Sequence, residues 1–168
     1  MRDYIIMTDS CCDLSQQEVK ELELTVLPLS FTIEGKTLLN TPDHADMSPE
    51  EFFAKIAAGA DCTTAAANVG QFTDAMEKVL QEGKDILCVC FSSALSTTYQ
   101  SACIAAEDLR EKYPEAKILV IDSLSASRGQ GMLLYRAVRE RREKNLTIDE
   151  LDAYVRSFIQ SQCHWFIV

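Results

Sequence analysis

Ile86-Leu87-Cys88-Val89-Cys90-Phe91-Ser92-Ser93-Ala94-Leu95-Ser96-Thr97-Thr98-Tyr99-Gln100-Ser101 is the stretch on which the fold turns. Ile86 to Phe91 is the longest unbroken apolar run in the chain, and a run this short between polar neighbours reads as a buried strand. Ser92 to Ser96 reads as a loop and Thr97 to about Lys112 as a helix, with Pro114 just beyond its end. A strand apolar on both faces that passes through a short polar loop into a helix is the repeating unit of a parallel sheet, because each crossover lays a helix on a face of the sheet.

The unit recurs on either side. Downstream, Lys117 to Ile121 reads as a strand, Asp122 to Ser127 as a loop and Gly129 to about Arg142 as a helix. Upstream, Tyr4 to Thr8 is a strand, Asp9-Ser10 a loop and Leu14 to Leu22 a helix. Leu24 to Ile33 is a further extended stretch, broken at Glu34-Gly35-Lys36, which predicts that Lys36 to Leu39 pairs back as a hairpin arm. Ser48-Pro49-Glu50-Glu51 combines a capping Ser, a Pro at the first helical position and an acid three residues after the Ser, so a helix begins there and stops at Gly59. Cys62, Thr63 and Thr64 read as a loop before a helix spaced Val69, Phe72, Met76, Val79 and Leu80. Asn145-Leu146-Thr147 restarts a helix to about Gln160. Residues 161–168 close the chain on an apolar segment that reads as a strand, and its Trp165 and Phe166 call for a partner surface. The fold class is therefore α/β, with missing sequence expected beyond Val168.

The chain has 168 residues, 47% hydrophobic and 25% charged, which is the balance of a globular domain rather than a disordered one. Sixteen Lys and Arg against 26 Asp and Glu give a net charge of -10, which argues against nucleic acid as a partner. No run approaches the roughly 20 apolar residues of a membrane helix, so no stable membrane insertion is expected, and the start lacks a signal region. The seven cysteines are odd in number and form no C-x-x-C pair, which fits free thiols and a cytoplasmic location. Cys88 and Cys90 share a strand face while His44 and His164 lie far away, so no metal and no cofactor is expected.

In an open parallel sheet, ligands bind outside the carboxyl ends of the strands. The loops there are Asp9-Ser10-Cys11, Ser92 to Ser96, and Asp122 to Ser125, and all three are rich in hydroxyls. Exposed N–H groups at a helix start, joined by hydroxyls, can hold a carboxylate or phosphate without a basic side chain. The same residues also fit a purely structural role: Thr97 with Gln100 matches a capping box, and Thr63 and Thr64 match helix-entry loop residues. Gly129-Gln130-Gly131 lacks the third glycine of a dinucleotide fingerprint, and no phosphate loop or serine-hydrolase elbow is present. Asp9 and Asp122 read as partners of loop backbone. The basic cluster Arg136, Arg139, Arg141, Arg142 and Lys144 reads first as a solvated helix face, with a docking surface as the minor alternative.

Six blocks in order resemble the bacterial DegV family: Thr8-Asp9-Ser10, Val26-Leu27-Pro28-Leu29, Asp46-Met47-Ser48-Pro49-Glu50-Glu51-Phe52, Thr63-Thr64, Ser92 to Ala102, and Ile121 to Ser127. That resemblance implies a three-layer α/β/α domain of the DegV N-terminal type over residues 1–160, with 161–168 opening a second domain that is missing or truncated. It further implies a carrier rather than an enzyme. A long-chain fatty acid would be buried, its carboxylate held by hydroxyls and backbone amides, and presented to a fatty acid kinase that forms the acyl phosphate for phospholipid synthesis. By position, Thr63 and Thr64 match the family's threonine pair, and Ser92 and Ser93 its serine pair, and these are the expected lipid-binding residues. Ala65 and Thr97 stand where the family often has a hydroxyl and a glycine, so the headgroup geometry differs in detail. Two rival readings remain: a phosphate-handling enzyme using Asp9 and Asp122, and a non-catalytic interaction module.

Overall fold

The structure is a computed structural model, and residues 2–165 are described. The main sheet has four parallel strands in the order β2-β1-β6-β7, formed by β1 (Tyr4–Asp9), β2 (Leu24–Leu27), β6 (Asp85–Cys90) and β7 (Ile118–Asp122). Alternation along these strands sorts their side chains onto two faces. Tyr4, Ile6, Leu87, Val89 and Ile121 pack with α1 (Gln16–Glu21), α5 (Ser127–Lys144) and α6 (Ile148–Ile159). Met7, Ile86, Cys88, Cys90, Ile118 and Val120 pack with α3 (Val69–Gln81) and α4 (Thr98–Lys112). The result is the three-layer α/β/α arrangement that the strand–loop–helix repeat predicts.

Among the described residues β7 is an edge strand, and two arginines close its outer side. Arg110 Nε donates to the Ile118 carbonyl at 3.1 Å and Arg156 Nη2 to the Val120 carbonyl at 3.0 Å. Carbonyls that would otherwise await another strand are thereby satisfied.

The extended stretch from Leu24 to Ile33 divides at Pro28 between two sheets. Proline has no N–H to give to a ladder, so β2 stops at Leu27 and the chain leaves the main sheet. It continues as β3 (Leu29–Ile33), the centre of a small antiparallel sheet ordered β4-β3-β5. The hairpin arm β4 (Lys36–Asn40) forms as expected, with Gly35 at φ +75° in the turn. Its other neighbour corrects the sequence reading: Cys62, Thr63 and Thr64 are not loop residues but belong to β5 (Cys62–Ala65), antiparallel to β3. Four residues without alternation leave no periodic signal, and only the β-branched pair hints at a strand.

Helix entries follow the capping chemistry closely. α2 (Pro49–Ala57) is capped by Ser48, and α1, α3 and α6 each carry a reciprocal capping box from Ser15, Asn68 and Thr147. α4 departs from expectation. Thr97 makes no side-chain cap, and Ser96 Oγ instead accepts from the Thr98 N–H at 3.2 Å. After α6, residues 162–165 run without strand pairing, and Phe166 to Val168 of the segment read as a closing strand lie outside the described residues.

Candidate functional site

The carboxyl ends of β1 and β6 meet the small sheet and α2 around a cleft of about 680 Å³. That volume lies within the roughly 300–1,000 Å³ of small-molecule sites. Its walls are mostly apolar. Leu29 and Phe31 come from β3, Leu39 from β4, Phe52 and Phe53 from α2, and Phe91 and Leu95 from the end of β6 and the loop after it. Phe31 and Phe52 meet edge to face at 5.4 Å, as do Phe52 and Phe53, so the aromatic wall is ordered by ring contacts. Phe53 and Leu95 are 67% and 60% exposed, which leaves greasy surface open at the rim. Polar groups are few: Ser30, Asn40, Ser48, Thr64 and Ser96 supply uncharged donors and acceptors, and Asp13 and His44 the ionisable groups other than thiols. No Lys or Arg lines the cleft among the described residues, so hydroxyls, amides and the His44 imidazole are what an anion there can meet.

Strand register decides which of the paired threonines faces this space. Thr64 is opposite Phe31 and shares its face, while Thr63 is opposite Thr32 on the other face, where Thr32 and Thr37 hydroxyls meet at 2.9 Å. Thr64 therefore lines the cleft and Thr63 does not. Neither member of the serine pair lines the cleft. Ser92 is buried, its N–H donating to the Ser125 carbonyl at 3.0 Å and its carbonyl accepting from Leu95 and Ser96 at 3.0 and 3.2 Å. Ser93 is exposed, and its N–H donates to Asp122 Oδ1 at 3.1 Å. Together they hold the turn that carries Leu95 and Ser96 into the cleft. Ser96 belongs to the hydroxyl-rich loop singled out in the sequence, but the resemblance points to its neighbours instead.

The two carboxylates at the strand ends are occupied by loop backbone, as their positions suggest. Asp9 Oδ2 accepts from the Phe91 N–H at 2.7 Å and Oδ1 from the Cys11 N–H at 3.0 Å, while Gln130 Nε2 approaches at 3.3 Å. Burial pushes the Asp9 carboxyl above its ordinary range, against the opposing pull of these donors. Asp122 Oδ1 accepts from Ser93 and Leu124, each at 3.1 Å. Both carboxylates thus tie strand ends to turns. Cys11, which lines the cleft, has its thiol pushed up to about 12 by burial and by the adjacent Asp9 and Asp13, so it is not a nucleophile at neutral pH. A second hollow of about 240 Å³, between Leu22, Glu23, Arg142 and Asn145, is lined by groups already bonded to one another, including Arg142 to Glu23 at 3.0 Å. No group of three or more His, Cys, Asp or Glu is placed to hold a metal among the described residues, and no helix there is long and apolar enough to cross a membrane.

Fold and site together define a class: a doubly covered parallel α/β domain carrying an apolar, hydroxyl-edged cleft at the carboxyl end of its sheet. Residues 4–168 match the family model described as "Uncharacterised protein, DegV family", and the chain belongs to the DegV family. It is 36% identical over its full length to a DegV domain-containing protein of Clostridium perfringens, of which it covers 57%. It is also 36% identical, over 82% of its own length, to a DegV domain-containing 15.5 kDa protein of Staphylococcus aureus, of which it covers 93%. Among solved structures, a stearic acid-binding protein of Eubacterium ventriosum superposes with a TM-score of 0.81 at 26% identity over 91% of this chain and 52% of that one. A DegV family protein of Thermus thermophilus described by its fatty acid binding gives 0.81 at 28% identity over 95% of this chain and 54% of that one. The chain thus spans about half the length of these solved relatives and of the clostridial one.

Proposed function

We propose that this chain binds a long-chain fatty acid as a carrier and presents it to a fatty acid kinase. The observation that carries the reading is the cleft itself: an aromatic and aliphatic wall of Phe31, Phe52, Phe53, Phe91 and Leu95, edged by Thr64 and Ser96 hydroxyls, with no Lys or Arg among its described lining residues. Such a wall accepts a hydrocarbon, and such an edge accepts one acid group. Burying about 16 methylenes at ~0.8 kcal/mol each gives on the order of 12 kcal/mol before the cost of ordering and association. Hydrogen bonds to a charged carboxylate add roughly 1.5–3 kcal/mol each, so the polar edge sets which end of the lipid points where. In this reading Thr64 touches the carboxylate, Ser92 and Ser93 hold the turn that presents Ser96 and its neighbouring amides, and Thr63 supports β5 from its far face. The fatty acid-binding descriptions of the Eubacterium and Thermus proteins support the ligand class. Asp9 and Asp122 serve the scaffold, which favours a carrier over an enzyme acting through them.

Denaturing extraction of the purified chain followed by mass spectrometry tests the proposal. Wild type carries free long-chain fatty acid, and Phe52→Asp, which sets a charge in the aromatic wall, loses most of it. A folded wild type with no lipid, even after incubation with fatty acid, overturns the reading. Adding fatty acid kinase and ATP to the loaded chain yields acyl phosphate, and Thr64→Val slows that step more than it lowers lipid content.

A further inference from the structure

The basic residues of α5 fall into two groups that the sequence does not separate. Those nearer its end are consumed by the fold. Arg141 donates to the Tyr4 carbonyl at 2.8 Å and lies 4.0 Å over the Tyr4 ring, Arg142 donates to the Glu21 carbonyl at 2.8 Å, and Lys144 pairs with Glu140. Nearer the start of the helix, Arg128, Met132, Tyr135 and Arg139 follow one another at spacings of four, three and four residues, which places them along one face, with Arg136 beside them. All five are exposed, and Met132 and Tyr135 are each 53% so.

We propose that this arc of α5 is a docking surface for a protein whose own face sets carboxylates around an apolar centre. The composition fits, since Arg, Tyr and Met are the residues that interface cores favour. Charge fits as well. Three arginines gather here around two apolar side chains, Arg128 and Arg139 each offset by one exposed glutamate and Arg136 by none among the described residues, so a partner's carboxylates have a guanidinium to meet. The arginines are also available. Arg128 to Glu18 and Arg139 to Glu143, both 2.7 Å, are exposed pairs of the kind that contribute little and exchange readily for a partner's carboxylates. Arg136 lies 3.6 Å over the Phe158 ring, with no carboxylate partner among the described residues. Location completes the argument, because the Gly131 backbone of α5 packs on Cys12 and Leu14, whose neighbours Cys11 and Asp13 line the cleft. The helix that carries the arc thus backs the segment at the cleft's edge.

The choice of probe rests on the carrier reading: it is the fatty acid kinase, titrated against the full chain at low and high salt. Reversing Arg136→Glu together with Arg139→Glu weakens binding by about tenfold or more, and Met132→Ala with Tyr135→Ala weakens it without changing its salt dependence. Lys36→Glu, on the exposed hairpin arm, leaves it unchanged. Circular dichroism and extracted lipid content stay at wild-type levels in all of these. Equal kinase binding by wild type and the double reversal, or no binding by wild type, overturns the proposal. So does binding of phosphatidylglycerol vesicles by wild type that the double reversal abolishes while kinase binding persists, since that result gives the arc to a lipid surface. Failure of the carrier reading shows separately, as wild type that holds no extractable lipid.

Discussion

Gly131 sits where α5 presses against the turn after β1. A Cβ built there would lie 2.9 Å from the Cys12 carbonyl oxygen and 3.0 Å from Leu14 Cδ2, and the first of these is backbone that cannot swing aside. Gly131→Ala therefore loses more through overpacking than alanine's better helix propensity returns, and stability falls by about 1–3 kcal/mol in chemical denaturation. An unchanged unfolding midpoint would refute this. The neighbouring Gln130 is buried and donates to Thr8 Oγ1 at 3.0 Å and towards Asp9. Gly129-Gln130-Gly131 thus has a packing purpose that its failure as a dinucleotide fingerprint leaves open. A glycine wanted for close approach and a glutamine wanted by a distant aspartate look alike in sequence, because the partners lie about 120 residues away.

Among the elements, α1 shows how a local signal becomes a pH-dependent one. Arg128 of α5, together with the Ser15 N–H and hydroxyl, holds the Glu18 carboxyl down at about 2. A carboxyl depressed in the folded state stabilises above its unfolded value of about 4.3, and that contribution is lost as the pH falls through about 2. Wild type should therefore exceed Glu18→Gln by less than ~1 kcal/mol at pH 6, since the pair is exposed, and the gap should close by pH 2. A gap constant over that range in paired urea titrations would refute the assignment. The strands and helices of the main sheet were readable because their signals are periodic and their caps local. β5 and the break at Pro28 were harder, since a four-residue edge strand exists only by pairing with β3. The site was legible as a set of loops and less so as a set of atoms. Thr64 faces the cleft and Thr63 does not through cross-strand register, and Ser96 rather than Ser93 reaches the cleft through hydrogen bonds that close the turn behind it.

For the whole molecule, the cleft predicts a linkage between ligand and stability. A ligand at 100 times its Kd stabilises the folded state by about 2.7 kcal/mol, which for a domain of this size corresponds to roughly 5–10 °C in Tm. Chain stripped of lipid on an apolar resin should melt lower by that order and recover on adding fatty acid, whereas calorimetric scans that coincide would count against an occupied cleft. The exposed Phe53 and Leu95 make this stripped state the adhesive one. The flank of β7 behaves oppositely. With guanidinium groups of Arg110 and Arg156 already seated on its outward oxygens, that border gives a growing cross-β fibril no first rung, so clumping in concentrated, lipid-free preparations should begin at the cleft and leave the ribbon's far margin intact.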